Sequence, residues 1–214
     1  LIICPVSNAG DAENKVVIPN TVVKVADYAF RLNKGIKQII FEDNAKDGEN
    51  AKRDLFIGAE AFYNTKSNCV LEKVVLPEGM STIYTKAFYS ACANEVVVPS
   101  TVNTIQKQAF YSCYVETITF ADGGKDKLTI ESGVSTKYDD GAFTNCYNLK
   151  EIVLPERTES IGDYAFYSGS LSKLTRVVIP STVTTIGKKA FAYAKSLTDV
   201  TITDTEENKS QLTS

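Results

Sequence analysis

The chain has no histidine among its 214 residues. That absence removes the commonest general base, the Ser-His and Cys-His nucleophile pairs and most transition-metal sites. Cysteine is sparse: Cys4, Cys69, Cys92, Cys113 and Cys146 are odd in number and contain no C-x-x-C. This excludes a zinc ribbon or a thioredoxin-like pair and argues against a disulfide framework. Long apolar runs are also missing. None approaches the about 18 residues that a membrane span requires, and Leu1-Ile2-Ile3 is too short for a signal-peptide core, so no direct membrane insertion is expected. Nor does one charge sign dominate. The 23 Lys+Arg and 26 Asp+Glu give a net charge of -3 with both signs scattered, which leaves no basic field for nucleic acid. An apolar content of 43% still suits a chain that folds.

What is present is a period. An Ala-Phe pair occurs seven times, at Phe30, Phe62, Phe88, Phe110, Phe143, Phe166 and Phe191, and five of these lie eleven residues after a proline (Pro19, Pro77, Pro99, Pro155, Pro180). Before each proline stands a short aliphatic run with strand character: Val16 to Ile18, Val74 to Leu76, Val96 to Val98, Ile152 to Leu154 and Val177 to Ile179. Proline has no amide to extend a ladder and a fixed φ, so it suits a corner. The three-residue spacing of Val183 and Ile186, followed by Ala190-Phe191, predicts a short helical or 3₁₀ return turn whose Phe plugs the interior. A leucine often precedes the next strand, as at Leu71, Leu149, Leu174 and Leu197.

Two units are longer. The steps from Phe30 to Phe62 and from Phe110 to Phe143 are 32 and 33 residues, against 22 to 26 elsewhere. In both, the strand ends in Phe (Phe41, Phe120), a polar turn follows, and a second apolar run comes next, Leu55 to Ile57 or Leu128 to Ile130. These read as β-hairpin extensions from the coil edge.

The pattern aliphatic-x-aliphatic-Pro-x-x-Val-x-x-Ile-Gly-x-x-Ala-Phe-x-x-Cys resembles the BspA-type leucine-rich repeat, over roughly residues 14 to 202. The resemblance implies an α/β-type repeat solenoid dominated by β: a right-handed coil with a parallel sheet of short strands, Ala-Phe return turns and two hairpin extensions. One solenoid of seven to eight coils then fills the chain, with residues 1–13 and 203–214 as flanks. It also implies a setting on the surface of, or secreted from, host-associated microbes. Met80 and Thr158 depart from the pattern in the Val slot, Tyr84 and Gln106 in the Gly slot.

Several residues are candidates for chemistry. Cys92, Cys113 and Cys146 recur at a repeat position and read as buried structural thiols. Asp43, Asp47 and Asp54 loosely match a calcium loop, and Asp122, Asp126, Asp139 and Asp140 form a second acidic group. Ala45 stands at position three and an Asp at position twelve of the first, so both read as solvated turns, with no metal and no cofactor expected. Gly123-Gly124 lacks the spacing of a phosphate loop, and Asn208-Lys209-Ser210 is an isolated sequon.

The middle residue of each strand is the leading surface candidate. If its neighbours point inward, Val17, Ile40, Val75, Val97, Thr119, Val153, Val178 and Thr201 point outward. Such a column is either a ligand-facing stripe or a set of β-branched residues shielding one another between charged flanks such as Lys73, Glu95, Glu151 and Arg176. Tyr63, Tyr89, Tyr111 and Tyr167, each following a Phe, read as a stack on the opposite rim.

The expected function is non-enzymatic: a binding or adhesion module for a protein or glycan ligand, or a structural spacer within a larger surface protein. Val200-Thr201-Ile202 begins a strand that no Pro or Ala-Phe follows. The sequence therefore leads us to expect a longer array, or end-to-end or sheet-face self-association.

Overall fold

The computed structural model describes residues 14–42, 55–64, 70–134, 140–168 and 172–203. The chain winds as a β-solenoid in which each coil contributes two short strands on opposite faces. The front strands are β1 (Lys15–Ile18), β3 (Gln38–Phe41), β5 (Lys73–Val75), β7 (Glu95–Val98), β9 (Thr117–Phe120), β11 (Glu151–Val153), β13 (Arg176–Pro180) and β15 (Asp199–Thr203). The back strands are β2 (Lys24–Val25), β4 (Phe56–Ile57), β6 (Thr82–Ile83), β8 (Thr104–Ile105), β10 (Leu128–Ile130), β12 (Thr158–Ile161) and β14 (Thr185–Ile186).

All strand pairs are parallel, with one register shift between Leu128 and Thr129 where β10 meets β12. The front divides into a five-stranded sheet β1-β3-β5-β7-β9 and a three-stranded sheet β11-β13-β15; the back divides into β2-β4 and β6-β8-β10-β12-β14. Each face therefore carries one seam between neighbouring strands that are not hydrogen-bonded to each other: β9 and β11 in front, β4 and β6 behind.

Two expectations are corrected here. The runs Leu55 to Ile57 and Leu128 to Ile130 are not hairpin arms. β4 pairs with β2, and β10 pairs with β8 and β12, so both are ordinary back strands reached through a longer corner. The corner between β3 and β4 lies largely outside the described residues. The Ala-Phe segment, for its part, is not helical.

Its backbone alternates in hand instead. Residues two before Phe, including Tyr28, Glu60, Lys86, Gln108, Tyr164 and Lys189, have φ between 54° and 63°. Residues two after Phe, including Leu32, Ser90, Ser112, Asn145 and Tyr193, have φ between 49° and 62°. Each costs about 1–2 kcal/mol in the left-handed region. The return is hydrogen bonding. Tyr28, Phe30 and Leu32 N–H donate to Ala59, Ala61 and Tyr63 O of the next coil at 3.1, 2.8 and 2.9 Å, while Ala29, Arg31 and Asn33 close turns onto the residue three before each. Along this rail the earlier coil donates and the later coil accepts, as again at Phe88 N–H to Ala109 O and Phe166 N–H to Ala190 O, both 2.8 Å.

Inside, the seven phenylalanines form one continuous stack, Phe30-Phe62-Phe88-Phe110-Phe143-Phe166-Phe191, with centroids 4.8 to 5.6 Å apart and interplanar angles of 1° to 16°. Each contact adds about 0.5–1.5 kcal/mol beyond area burial. Around it lie buried aliphatic columns, Ile39-Val74-Val96-Ile118 in front and Ile83-Ile105-Ile130-Ile161 behind. The departures from the repeat pattern are absorbed locally. Met80 is buried, and Thr158, also buried, satisfies its hydroxyl on Pro155 O at 2.7 Å. The Gly slot marks close approach of coils: a Cβ on Gly162 would sit 2.3 Å from Ser132 N, and one on Gly187 2.4 Å from Asp163 N.

Candidate functional site: the front sheet and its seam

Strand register aligns the eight candidate residues in two runs. Val17, Ile40, Val75, Val97 and Thr119 are aligned in the first sheet, and Val153, Val178 and Thr201 in the second. The column is not uniformly exposed. Val17 at one end is 45% exposed and Val153 at the seam 49%, whereas Val178 is 6% exposed. Val178 thus corrects the expectation of a solvent-facing residue. It lies in the middle strand of three, in register between Val153 and Thr201. Ile40, Val75 and Val97 are half-buried, each with a bonded strand on both sides. Exposure concentrates where a strand lacks a bonded neighbour, at Val17, Thr119 and Val153.

Beside this column runs a second one of mainly charged residues. Lys73 pairs with Glu95 at 2.8 Å, and Arg176 bridges Glu151 on one side and Asp199 on the other, the latter at 3.1 Å. Lys37 and Glu72 pair at 3.2 Å just outside the strands. Such partly exposed pairs contribute at most about 1 kcal/mol each. They do cover the edges of the apolar column with long side chains. At the seam the ladder stops: Thr117 occupies the charged slot of β9, between Glu95 and Glu151.

The seam opens into a cleft of about 590 Å³. Its floor includes Ile118, Phe120, Val153, Leu154 and Pro155, and its rim carries Glu116, Asp122, Glu151 and Glu156 against one amine, Lys150. Glu156 is tethered by the Thr203 hydroxyl at 3.1 Å. Neither Glu116 nor Asp122 has an ion-pair partner among the described residues. Sequence reading missed this cleft.

Other candidates resolve more simply. Cys113 and Cys146 are buried thiols with sulfurs 2.9 Å apart, Cys146 also facing Phe110 O at 3.3 Å. Burial, then the neighbouring Cys113, pushes the Cys146 thiol pKa well up. Cys92 is corrected: it is half of a disulfide rather than a free core thiol. An odd cysteine count without a spacing signature gave no sign of it. Among the second acidic group, Asp122 and Asp126 lie on the corner between β9 and β10, and Asp140 accepts from Val134 N–H at 2.5 Å. Asp139, like Asp43, Asp47 and Asp54, lies outside the described residues. No three potential metal ligands converge among the described residues, and no helix there is long and apolar enough to cross a membrane. Of the tyrosines, Tyr89 and Tyr111 stack at 5.1 Å, while Tyr63 lies under the Arg31 guanidinium at 4.8 Å and Tyr167 tilts against Tyr193 at 5.2 Å.

A family model for the BspA type leucine rich repeat region matches in six copies, over residues 9–126 and 55–198. The chain belongs to the BspA-type leucine-rich repeat family. Three solved structures are similar to this BspA-type solenoid. A leucine-rich cell surface protein from Faecalibacterium prausnitzii is 16% identical over 92% of this chain and 80% of its own, with TM-score 0.28. A leucine-rich repeat protein from Eubacterium ventriosum is 17% identical over 89% and 60%, with TM-score 0.36. One from Bacteroides ovatus is 17% identical over 88% and 69%, with TM-score 0.39. The BspA-type chain thus spans 60% of the Eubacterium protein. No curated protein matches it.

Proposed function

We propose that this BspA-type repeat is a non-enzymatic binding module of a cell-surface or secreted protein, engaging a macromolecular ligand through the front face of its solenoid. The observation that carries the reading is the open seam: a cleft in the front face where Thr119 and Val153 are both exposed. Interfaces combine an apolar centre with a polar rim, and the cleft has both. The disulfide at Cys92 supports an oxidising, extracellular setting, and the name of the Faecalibacterium relative is in keeping with a surface location.

The test is an array of immobilised proteins and glycans probed with the purified chain and with Val97→Asp and Val153→Asp. The expected outcome is at least one ligand whose signal falls in a front-face variant while thermal melting is retained. Ligands indifferent to both substitutions, or none at all, would favour the spacer reading.

A further inference from the structure

Two buried nucleophiles are still without a role. Cys113 and Cys146 stand three residues after Phe110 and Phe143, where other coils carry Asn33, Ala91 and Ala194. The backbone holds the two positions side by side in successive coils. Ser112 N–H donates to Thr144 O at 2.9 Å and Tyr147 N–H to Cys113 O at 3.1 Å, while the Phe110 and Phe143 rings stack at 5.0 Å. Both side chains are buried, and their sulfurs are 2.9 Å apart. A disulfide needs Cα atoms about 4.4–6.8 Å apart and sulfurs at about 2.05 Å. A coil spacing of about 4.8 Å satisfies the first condition, and a side-chain shift of about 0.9 Å satisfies the second. Closing the bond takes the Cys146 sulfur off Phe110 O, which still accepts from Cys113 N–H at 3.2 Å. The location matters too. Cys113 lies four residues before β9 and Cys146 five before β11, at the base of the two neighbouring front strands that share no ladder.

We propose that Cys113 and Cys146 form an oxidation site, closed by a low-molecular-weight disulfide such as glutathione disulfide into a covalent staple at the front seam. The pairing rests on geometry alone, and the oxidant belongs to the setting that the Cys92 disulfide supports. One thiolate attacks glutathione disulfide, forming a mixed disulfide and releasing one glutathione thiolate. The other thiolate then attacks the protein sulfur of that bond and releases the second. Two protein thiols give up two electrons and two protons, and two glutathione thiols receive them. In the folded chain, burial and then Cys113 keep the Cys146 thiol well above its ordinary pKa, so the exchange belongs to the folding chain before these coils close. The dithiol described above is the reduced form, in which each sulfur can still titrate and alkylate.

The experiment refolds the full chain from denaturant in a buffer of reduced and oxidised glutathione. Remaining thiols are blocked in denaturant with N-ethylmaleimide, and the unreduced protein is digested with trypsin and mapped by mass spectrometry. Cleavage after Lys107, Lys125, Lys137 and Lys150 puts the two cysteines on separate peptides, residues 108–125 and 138–150. These should be recovered joined to each other and should separate on reduction. The bond closes a span of 33 residues. Reduction should therefore lower the melting temperature of the wild type by roughly 5–10 °C more than that of Cys113→Ala/Cys146→Ala, since the disulfide at Cys92 is common to both. Both cysteines recovered alkylated while Cys92 is bonded, or each joined to glutathione or to another cysteine, would overturn the pairing. The map needs no variant to fold. An equal melting shift in the two proteins would overturn the staple. Neither failure touches the binding reading, which the array of front-face variants tests separately.

Discussion

The two seams of the solenoid are the same defect with opposite outcomes. Behind, between β4 and β6, the gap is bridged by side chains: the Phe56 ring meets Tyr84 at 4.9 Å, with the Lys24 ammonium 5.5 Å over its face. In front, between β9 and β11, no aromatic pair bridges the strands, Thr119 and Val153 line the gap, and a cleft remains. Loss of a strand ladder does not by itself make a site; what occupies the gap decides. Beneath both seams the phenylalanine stack continues unbroken, Phe62-Phe88 at 4.9 Å and Phe110-Phe143 at 5.0 Å, so the coils stay joined through their interior.

That account can be broken first at the stack. Phe110→Ala removes the ring that spans from Phe88 to Phe143 beneath the open seam and should cost roughly 3–5 kcal/mol by chemical denaturation, against a smaller loss for Phe191→Ala at the last described coil. Equal small losses would show that the stack does not hold the coils together. Next is the filled seam. Phe56 is 36% exposed, so Phe56→Ala should cost only about 1–2 kcal/mol and leave a second cleft visible by crystallography. A closed back face in that variant would show that side-chain filling is not what distinguishes the two seams. Val153→Phe supplies a ring in front; stability should change by less than about 1 kcal/mol, and the front cleft should be filled in a crystal structure.

The smallest effect is expected from pH. Cys146 is buried against Cys113 in the two coils that flank the open seam, and burial first, then that neighbour, raises its pKa. A thiol whose pKa is raised in the folded state favours folding fully below the unfolded value of about 8.5. That contribution is lost as pH climbs above it toward the folded value, because the unfolded chain then sheds a proton that the folded one retains. Denaturation midpoints should therefore be insensitive to this thiol up to about pH 8 and decline beyond it, a decline that Cys146→Ala should abolish. Both free thiols should also resist aqueous alkylation until the chain unfolds. Rapid native labelling would place them on the surface.

The sequence made one half of this architecture legible. Aliphatic-x-aliphatic-Pro marks the front strands because four-residue runs ending at a proline leave little else for the backbone to do, and the recurrence of Ala-Phe fixes the interior column. Most back strands escaped notice, β4 and β10 being read as hairpin arms instead, because pieces such as Thr82–Ile83 and Thr104–Ile105 are too short to show alternation. Their apolar spacing of three, Val183 to Ile186, mimics a helical turn. Apart from Asn145, the left-handed positions beside Phe hold Tyr, Glu, Lys, Gln, Ser and Leu, residues with no signature for positive φ, since the next coil and not the side chain enforces it. The column of outward residues was readable from alternation. Its interruption was not, because no residue type encodes a missing hydrogen bond.

The one-way hydrogen bonding of the Ala-Phe rail gives the solenoid an electrical axis. Peptide groups there point their N–H toward later coils, so their dipoles, each about 3.5 D, add along the axis instead of cancelling as they nearly do in the strand ladders. The positive end lies on the C-terminal side, the reverse of an α-helix. Two copies meeting head to tail would extend the rail and its field, whereas two meeting head to head would set like poles together. The backbone thus favours one polarity for any end-to-end assembly before a single side chain is considered.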